Sequence, residues 1–506
     1  MRSDNITNNI KFAILAYIAS NFSKFLVRIA FVKALPIEYL GINGLFADVI
    51  NMLSLAEMGV GPAIVFSLYE PLSKKNLERI KELMQLFKRA YYAIGFFIIL
   101  VGACCTPWID HLIKDKPDID GLNYIYLIFL LNTGVSYFYS YKRNLLIADQ
   151  KQYIDNQFKS ICSIILAVLQ IISLMSWYNY YIYIGLMLLM TIIENYSVAK
   201  KVDGLYPFLN TPCVEKLPSE IKATISKNIR AMILHKLATI IVSSGANVIL
   251  AKFVGIIAVG LYSNYYLVLA SLNSFASQIF NAITASIGNL MVLENDKAKV
   301  ESFYVTEFAT AIQATNISIC LYVLLNPLIS LWLGKKFLLS EEIVAWMAFG
   351  YYLTFMRKAV IAYTDACGLY WQGRYKPVAE AIINIAASMY LTDKFGIIGV
   401  VWGSIISTAL TCFWVEPYIV FRYGLKEPLV KYYKNYTMYM LVTFLLAMLT
   451  KKLFTYVLIE VTILRFILVS IALLFIINMS IIIFFRNDRA MITILEFLKR
   501  QILIHN

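Results

Sequence analysis

The sequence is dominated by apolar stretches that are long enough to cross a membrane. A transmembrane helix needs about 20 residues to span a hydrocarbon core of about 30 Å. Stretches of this kind, separated by short polar or Pro/Gly-containing breaks, lie at 12–34, 39–68, 90–113, 122–141, 154–176, 179–198, 229–251, 256–291, 303–333, 343–366, 377–392, 397–421, 433–450 and 461–485. Hydrophobic residues make up 60% of the 506, against roughly 45–50% in a soluble domain. The chain is therefore predicted to be an all-α polytopic membrane protein with about fourteen transmembrane helices.

Two of these spans are longer than the bilayer requires. The second contains Gly59, Gly61 and Pro62, and the eighth contains Gly288. Glycine and proline allow a long helix to bend, so both spans are predicted to be tilted or bent.

Basic residues predict the orientation of the spans. The chain has 45 Lys and Arg against 31 Asp and Glu. About 29 of the basic residues lie in alternate loops, the N-terminus and the tail, against about 8 in the opposite loops, and basic loops stay cytoplasmic. Both termini are therefore predicted to be cytoplasmic. Nucleic-acid binding is the weaker interpretation of the positive charge.

The sequence also repeats itself at an offset of 219 residues. Asn9-Ile10-Lys11 matches Asn228-Ile229-Arg230, and Lys33, Ile37 and Gly41 fall on Lys252, Ile256 and Gly260. Two pseudo-symmetric lobes around a central cavity, lined by spans one, two, seven and eight, are expected from a parallel repeat. The predicted domains are 1–215 (spans one to six), 216–430 (spans seven to twelve) and 431–506 (two further spans and a basic amphipathic cytoplasmic tail).

Motifs of enzymes and nucleotide-binding proteins are missing from the sequence. It has no GxxxxGK[ST] loop, no HExxH and no GxSxG, and its histidines and cysteines are dispersed. The acidic loop with Asp110, Asp115, Asp118 and Asp120 is interpreted as a solvated turn, and a membrane polymerase is the alternative. We expect no catalytic residue, no cofactor and no metal.

Charged residues deep inside spans indicate where a hydrated site lies. Each costs about 2.5–3.5 kcal/mol at mid-bilayer unless it faces water or a partner. Lys24 and Arg28 lie one helical turn apart in the middle of the first span, and Asp48 lies at similar depth in the second. An ion pair of Lys24 with Asp48 is predicted, either as part of a site or only to hold the helices together. Arg28 remains uncompensated.

Further candidates are less sharply defined. Lys236 and Arg357 are the candidate cations of the second lobe, with snorkelling to the interface as the alternative. Glu57, in Glu57-Met58-Gly59-Val60-Gly61-Pro62, is with Asp48 a candidate coupling acid, and close helix packing is the alternative there. Lys159, Glu194, Glu416 and Arg465 lie near span ends and are expected to reach water.

Several motifs resemble those of a known family. They are Glu57-Met58-Gly59-Val60-Gly61 in the second span, Leu205-Tyr206-Pro207-Phe208-Leu209 in the central loop and Phe395-Gly396-Ile397-Ile398-Gly399-Val400 before the twelfth span. With the two predicted lobes, they resemble the Wzx-type O-antigen and capsule repeat-unit flippases of polysaccharide biosynthesis. That family belongs to the multidrug/oligosaccharidyl-lipid/polysaccharide exporter superfamily, together with MATE exporters and lipid II flippases.

The resemblance implies a function and a set of site residues. It implies that an undecaprenyl-diphosphate-linked oligosaccharide crosses the bacterial cytoplasmic membrane by alternating access. The family's cationic cavity residues match Lys24 and Arg28, and match Lys236 and Arg357 loosely. Partners would be the lipid-linked oligosaccharide, membrane lipids, and a polymerase or other polysaccharide-assembly proteins, with no nucleic acid. An ion-coupled MATE-like drug exporter is the alternative, although an acid-dominated cavity is expected of that class.

Overall fold

The computed structural model describes residues 2–54, 60–114, 117, 119–211, 242, 244–455, 457–458 and 461–496, and these are helical with short connections. The helices are α1 (Arg2–Ala34), α2 (Ile37–Leu53), α3 (Val60–Ser73), α4 (Leu77–Cys105), α5 (Leu122–Ala148), α6 (Gln152–Trp177), α7 (Tyr180–Leu205), α8 (244–253), α9 (Ile256–Leu293), α10 (Asp296–Trp332), α11 (Glu341–Ala366), α12 (Lys376–Phe395), α13 (Ile397–Ser407), α14 (Phe413–Ile419), α15 (Val430–Thr455), α16 (Ile463–Phe485) and α17 (489–496). No strand occurs in these ranges. The all-α polytopic prediction is confirmed.

The predicted spans fall on helices wherever their residues are described. Nine continuous helical runs in the described part of the chain are long and apolar enough to cross a membrane by length and composition. The second span falls on α2 and α3, and residues 55–59, which include Gly59, lie outside the described part of the chain, so the bend of this span stays a prediction. The eighth span runs as one helix through Gly288.

The first of two compact units comprises Met1–Gly260. Helix α5 lies at its centre and packs against α2, α3, α4, α6 and α7, while α1 packs along α6. Tyr91 and Tyr126 are fully buried around α5. The Tyr126 hydroxyl donates to the carbonyl of Gly102 at 3.1 Å, which satisfies a polar group that lipid could not.

The second compact unit comprises Leu261–Asn506. Helix α10 packs against α11, α15 and α16, and α12 and α13 form a tight hairpin. Helices α15 and α16 have few contacts with each other, so each is attached to the unit mainly through α10. Segments of π-helix, Thr408–Cys412 and Val420–Leu425, flank α14.

The repeated residues contact each other within the first unit. A Cβ atom added to Gly41 would lie 2.1 Å from the carbonyl oxygen of Ile256, and one added to Gly260 would lie 2.9 Å from that of Ile37. Gly41 therefore contacts the backbone of Ile256, and Gly260 contacts the backbone of Ile37. At the offset of 219 residues, Gly41 corresponds to Gly260 and Ile37 corresponds to Ile256, so the two contacts are equivalent. A reciprocal contact of this kind is what a local two-fold relation between the first turns of α2 and α9 produces.

The central-loop motif anchors the end of α7 to the turn between α5 and α6. The Tyr206 hydroxyl donates to Asp149 Oδ2 at 2.6 Å, and the Lys151 ammonium lies 2.7 Å from the same carboxylate. Burial and the neighbouring Asp149 carboxylate raise the pKa of the Tyr206 phenol, so it remains a hydrogen-bond donor. The Leu205–Leu209 motif therefore has a structural role, because its Tyr206 joins the end of α7 to the turn between α5 and α6.

The glycines of the Phe395–Val400 motif close the α12–α13 hairpin. Gly396 joins the helices with φ +67°, a backbone conformation that favours glycine. A Cβ atom on Gly399 would lie 2.3 Å from the backbone nitrogen of Thr392, so only glycine permits this approach.

Replacing Gly41 by alanine is expected to destabilise the protein, because backbone atoms of Ile256 cannot move aside as a flexible side chain can. The expected loss is about 1–3 kcal/mol, as for overpacked cores. Gly185→Ala is the matched control, since a Cβ atom there meets nothing within 4 Å. Thermal unfolding in detergent measures both, and equal melting temperatures would refute the reciprocal contact.

Candidate functional site

The first candidate site is the cationic face of α1. Lys24 is exposed and Arg28 is partly buried one turn later, both on a helix that is apolar enough to span a membrane. No ion pair joins either of them to a carboxylate in the described ranges. The charged neighbour of Lys24 is Lys159 of α6, a second cation. Two lysines, one from each helix, therefore lie near each other between α1 and α6.

The Arg28 guanidinium lies against an aromatic cluster. Tyr183 of α7 is its electrostatic neighbour, and Phe31, one turn further along α1, packs edge-on against Tyr183 and Tyr180 at 5.1 and 5.9 Å. Arg28 Nη1 and the Tyr180 hydroxyl are buried and have no hydrogen-bond partner among the described residues. Arg28 Nη1 and the Tyr180 hydroxyl are therefore two donors beside this aromatic cluster that can still form hydrogen bonds.

The structure places Asp48 away from Lys24, so the predicted ion pair is not formed. Asp48 Oδ2 accepts a hydrogen bond from Asn247 Nδ2 of α8 at 2.7 Å, and Ser244 and Asn51 also hydrogen-bond to this carboxylate. The physical reason is the packing of α1, which lies along α6 and touches α2 only slightly. Lys24 consequently faces α6.

The second candidate site is a cluster of two cations and two carboxylates in the second unit. Arg357 of α11 binds both oxygens of Glu416 of α14, at 2.9 and 2.7 Å. Lys376 of α12 lies 2.6 Å from Glu416, and Glu380 approaches both cations at 3.4 and 3.5 Å. All four side chains are less than one-fifth exposed. The cluster ties α11, α12 and α14 together with no net charge.

Arg357 was predicted to be a candidate substrate-binding cation of the second lobe, and the structure places it in this pairing. Its guanidinium is occupied by two carboxylates, one of which, Glu416, was expected to reach water. The adjacent Lys358 points to another face, where it donates to Ser277 at 3.2 Å and lies about 6 Å from the rings of Phe280 and Phe355.

A small cavity of about 210 Å³ adjoins the charged cluster. Arg357 and Glu416 form its polar part, and Phe413, Tyr432 and Tyr436 contribute aromatic faces. A liquid water molecule occupies about 30 Å³, so this space admits a few waters or one small polar group.

Two sequence candidates, Glu57 and Lys236, lie outside the described residues. Another group, Arg143, was missed. It binds Asp155 and Glu194, each at 2.7 Å, and so joins α5, α6 and α7. The predicted fourth span ended at residue 141, whereas α5 continues to Ala148, and this difference in length hid the residue.

Comparison with known proteins supports the fold. The sequence matches no protein-family model and none of the curated proteins. Its structure is similar to lipid II flippase MurJ in an inward closed conformation, with TM-score 0.65, 15% identity, and 94% of this chain and 99% of that chain covered. It is also similar to an inward-facing multidrug resistance MATE family transporter of the MOP superfamily, with TM-score 0.64, 13% identity, and 81% and 95% covered.

The chain has the fold of the MOP-superfamily transporters. A third structure with this fold is a MOP superfamily transporter from Pyrococcus furiosus, for which a binding pocket of reverse polarity is reported to suggest a different function. Its TM-score is 0.52 at 12% identity, with 83% of this chain and 96% of that chain covered.

Glu416→Gln is expected to destabilise the second unit. Glu416 is the shared acceptor of Arg357 and Lys376, so its loss leaves two buried cations with Glu380 alone. Breaking a buried pair in this way costs about 3–5 kcal/mol. The exposed Glu342→Gln at the start of α11 is the control. If thermal unfolding showed both variants equally stable, the cluster would have no structural role.

Proposed function

We propose that this chain is a flippase for an undecaprenyl-diphosphate-linked oligosaccharide repeat unit in bacterial polysaccharide biosynthesis, such as that of O-antigen, capsule or exopolysaccharide. The lipid-linked unit moves from the inner to the outer leaflet of the cytoplasmic membrane by alternating access between two lobes, and both termini are cytoplasmic. A polymerase or other assembly protein uses the product at the outer face.

The observation that carries this proposal is that the Arg28 guanidinium has no ion pair among the described residues and that its Nη1 is buried without a hydrogen-bond partner there. A charged group in a span costs about 2.5–3.5 kcal/mol unless it meets water or a partner. The other arginines discussed above, Arg143 and Arg357, each bind two carboxylates, whereas Arg28 keeps a free donor and has Lys24 one turn away. A diphosphate supplies the missing acceptors, because arginine binds phosphate oxygens as a planar fork.

The aromatic residues beside Arg28 suit the rest of such a substrate. Tyr180 and Tyr183 stack on each other at 5.9 Å, and the buried Tyr180 hydroxyl has no hydrogen-bond partner among the described residues. A phenol hydroxyl can exchange hydrogen bonds with the hydroxyl groups of a sugar. Lipid II flippase MurJ, which has the same fold, is named for a lipid substrate, and this supports a lipid-linked substrate here.

A MATE-like drug exporter is the second candidate, because the fold is shared with a multidrug resistance MATE transporter. A site for cationic drugs is expected to offer unpaired carboxylates to its ligand. Of the acidic residues described above around the candidate sites, Glu194, Glu380 and Glu416 are paired with cations, and Asp48 is hydrogen-bonded by Asn247. The charges of the candidate sites therefore favour an anionic substrate.

Arg28 variants test the proposal in proteoliposomes loaded with a fluorescent lipid-linked oligosaccharide. Arg28→Lys keeps the charge and loses the fork, so flipping should fall, and Arg28→Gln should lower it by about a further tenfold for each 1.4 kcal/mol of lost binding. Folding should be little affected, since no ion pair in the described ranges is broken. Flipping by Arg28→Gln at the wild-type rate would contradict the proposal.

Drug efflux separates the two candidate functions. Cells that express the wild-type chain should accumulate cationic dyes to the same level as cells without it, because the unpaired charge is positive. Dye efflux that depends on Asp48, and is lost in Asp48→Asn, would favour the exporter instead.

A further inference from the structure

Glu307 is a buried carboxyl in the second unit that the sites described above do not use. It lies eleven residues beyond the start of α10, or about 16 Å along the helix axis at 1.5 Å per residue. The residue is 1% exposed. It faces α15, one of the two helices that lie beyond the duplicated twelve spans.

The hydrogen bonding of Glu307 is incomplete. One oxygen, Oε2, accepts from Asn435 Nδ2 at the long distance of 3.5 Å, and the other, Oε1, is buried with no hydrogen-bond partner in the described part of the chain. The contrast with Glu416 is direct, because Glu416 receives short bonds from Arg357 and Lys376.

Among the described residues, the charged and titratable groups around Glu307 provide no close cation. Lys431 of α15 is the positive neighbour, but its ammonium lies over the ring of Tyr304, 3.9 Å from the centroid. Asp488, after α16, is a second negative charge nearby. The remaining titratable neighbours are phenols from α10, α11 and α15: Tyr304, Tyr352, Tyr432, Tyr436 and Tyr439. The local balance of charge disfavours a carboxylate anion.

The cost of desolvation determines whether the buried Glu307 side chain is ionised or protonated. A buried ion without a close partner costs far more than its neutral form, so a carboxyl in such surroundings takes up a proton. A protonated Glu307 carries no charge, so it needs no cation and no longer repels Asp488. The neutral acid therefore fits the observed packing.

We propose that Glu307 is a proton-binding site of the transport cycle, occupied by a proton in this conformation and exchanging it with the cytoplasm past Lys431 and Asp488. The step is a plain acid–base equilibrium in which water at the cytoplasmic interface accepts or donates the proton. Lys431 is exposed and Asp488 is partly exposed, so both reach that interface from the buried carboxyl.

The position of Glu307 links its protonation to the seating of α15. Helix α15 is attached to the unit mainly through α10, and next along their interface Thr315 and Thr443 share a hydrogen bond of 2.7 Å. Loss of the proton would place a negative charge in this interface. The carboxylate would then need water or the Lys431 ammonium, and either requires α15 to move relative to α10.

Infrared difference spectroscopy on the purified wild-type protein tests proton binding without any transport assay. Raising the pH should remove the C=O band of a protonated carboxylic acid, and this change should be missing in Glu307→Gln. Glu301→Gln, an exposed carboxyl on the same helix, is the control and should retain the band. An identical acid band in wild type and Glu307→Gln would overturn the proposal, whatever the chain transports.

A transport assay tests whether proton binding at Glu307 is coupled to flipping, and this experiment rests on the proposed flippase function. A pH gradient, acidic outside, should raise wild-type flipping several-fold, whereas Glu307→Gln should flip equally with and without the gradient. Glu307→Asp, which restores a carboxyl, should recover part of the stimulation. If Glu307→Gln still responded to the gradient as the wild type does, Glu307 would not be the coupling site, even though flipping itself was observed.

Discussion

The constraint on which this structure depends is the cost of an ionised group inside a membrane-spanning helix. Most of the described charges meet it by pairing: Arg143 with Asp155 and Glu194, and Arg357 with Glu416 and Glu380. These pairs also join helices that are distant in sequence. Arg28 and Glu307 differ from these, because each has a buried side-chain atom without a hydrogen-bond partner among the described residues. Because a paired structural role does not account for these atoms, we propose that Arg28 binds the substrate and that Glu307 binds the proton.

Two positions related by the 219-residue offset differ in charge. The residue 219 positions after Arg28 is Asn247, which donates to Asp48, whereas Arg28 itself has an unpartnered nitrogen. Ile37, Gly41, Ile256 and Gly260 still make the symmetric contact that a duplicated pair of helices allows. The glycines at the two related positions therefore make equivalent contacts, whereas the related positions 28 and 247 differ in charge.

The sequence predicted the helices well and the side-chain partners poorly, for one physical reason. Apolar length and Lys/Arg placement determine which segments cross a membrane, but the rotation of each helix about its own axis is set by packing. Arg357 and Glu416 are 59 residues apart, and their meeting depends on the rotations of α11 and α14. Asp48 was assigned to Lys24 by depth alone, and the packing of α1 along α6 separates them. Glu307 was missed because the predicted span began at residue 303, so Glu307 was placed close to the end of the span, where a charged side chain reaches water. Helix α10 begins at Asp296, so Glu307 lies deeper in the helix than predicted.

The central claim is that the substrate is a lipid-linked oligosaccharide. The most direct measurement is mass spectrometry of lipids extracted from cells in which this gene has been deleted, compared with cells complemented by the wild-type chain. The account predicts that an undecaprenyl-diphosphate-linked repeat unit accumulates in the deletion strain, shielded in intact cells from enzymes that act at the outer face, and that complementation removes it. An unchanged lipid-linked pool together with normal surface polysaccharide would contradict the account.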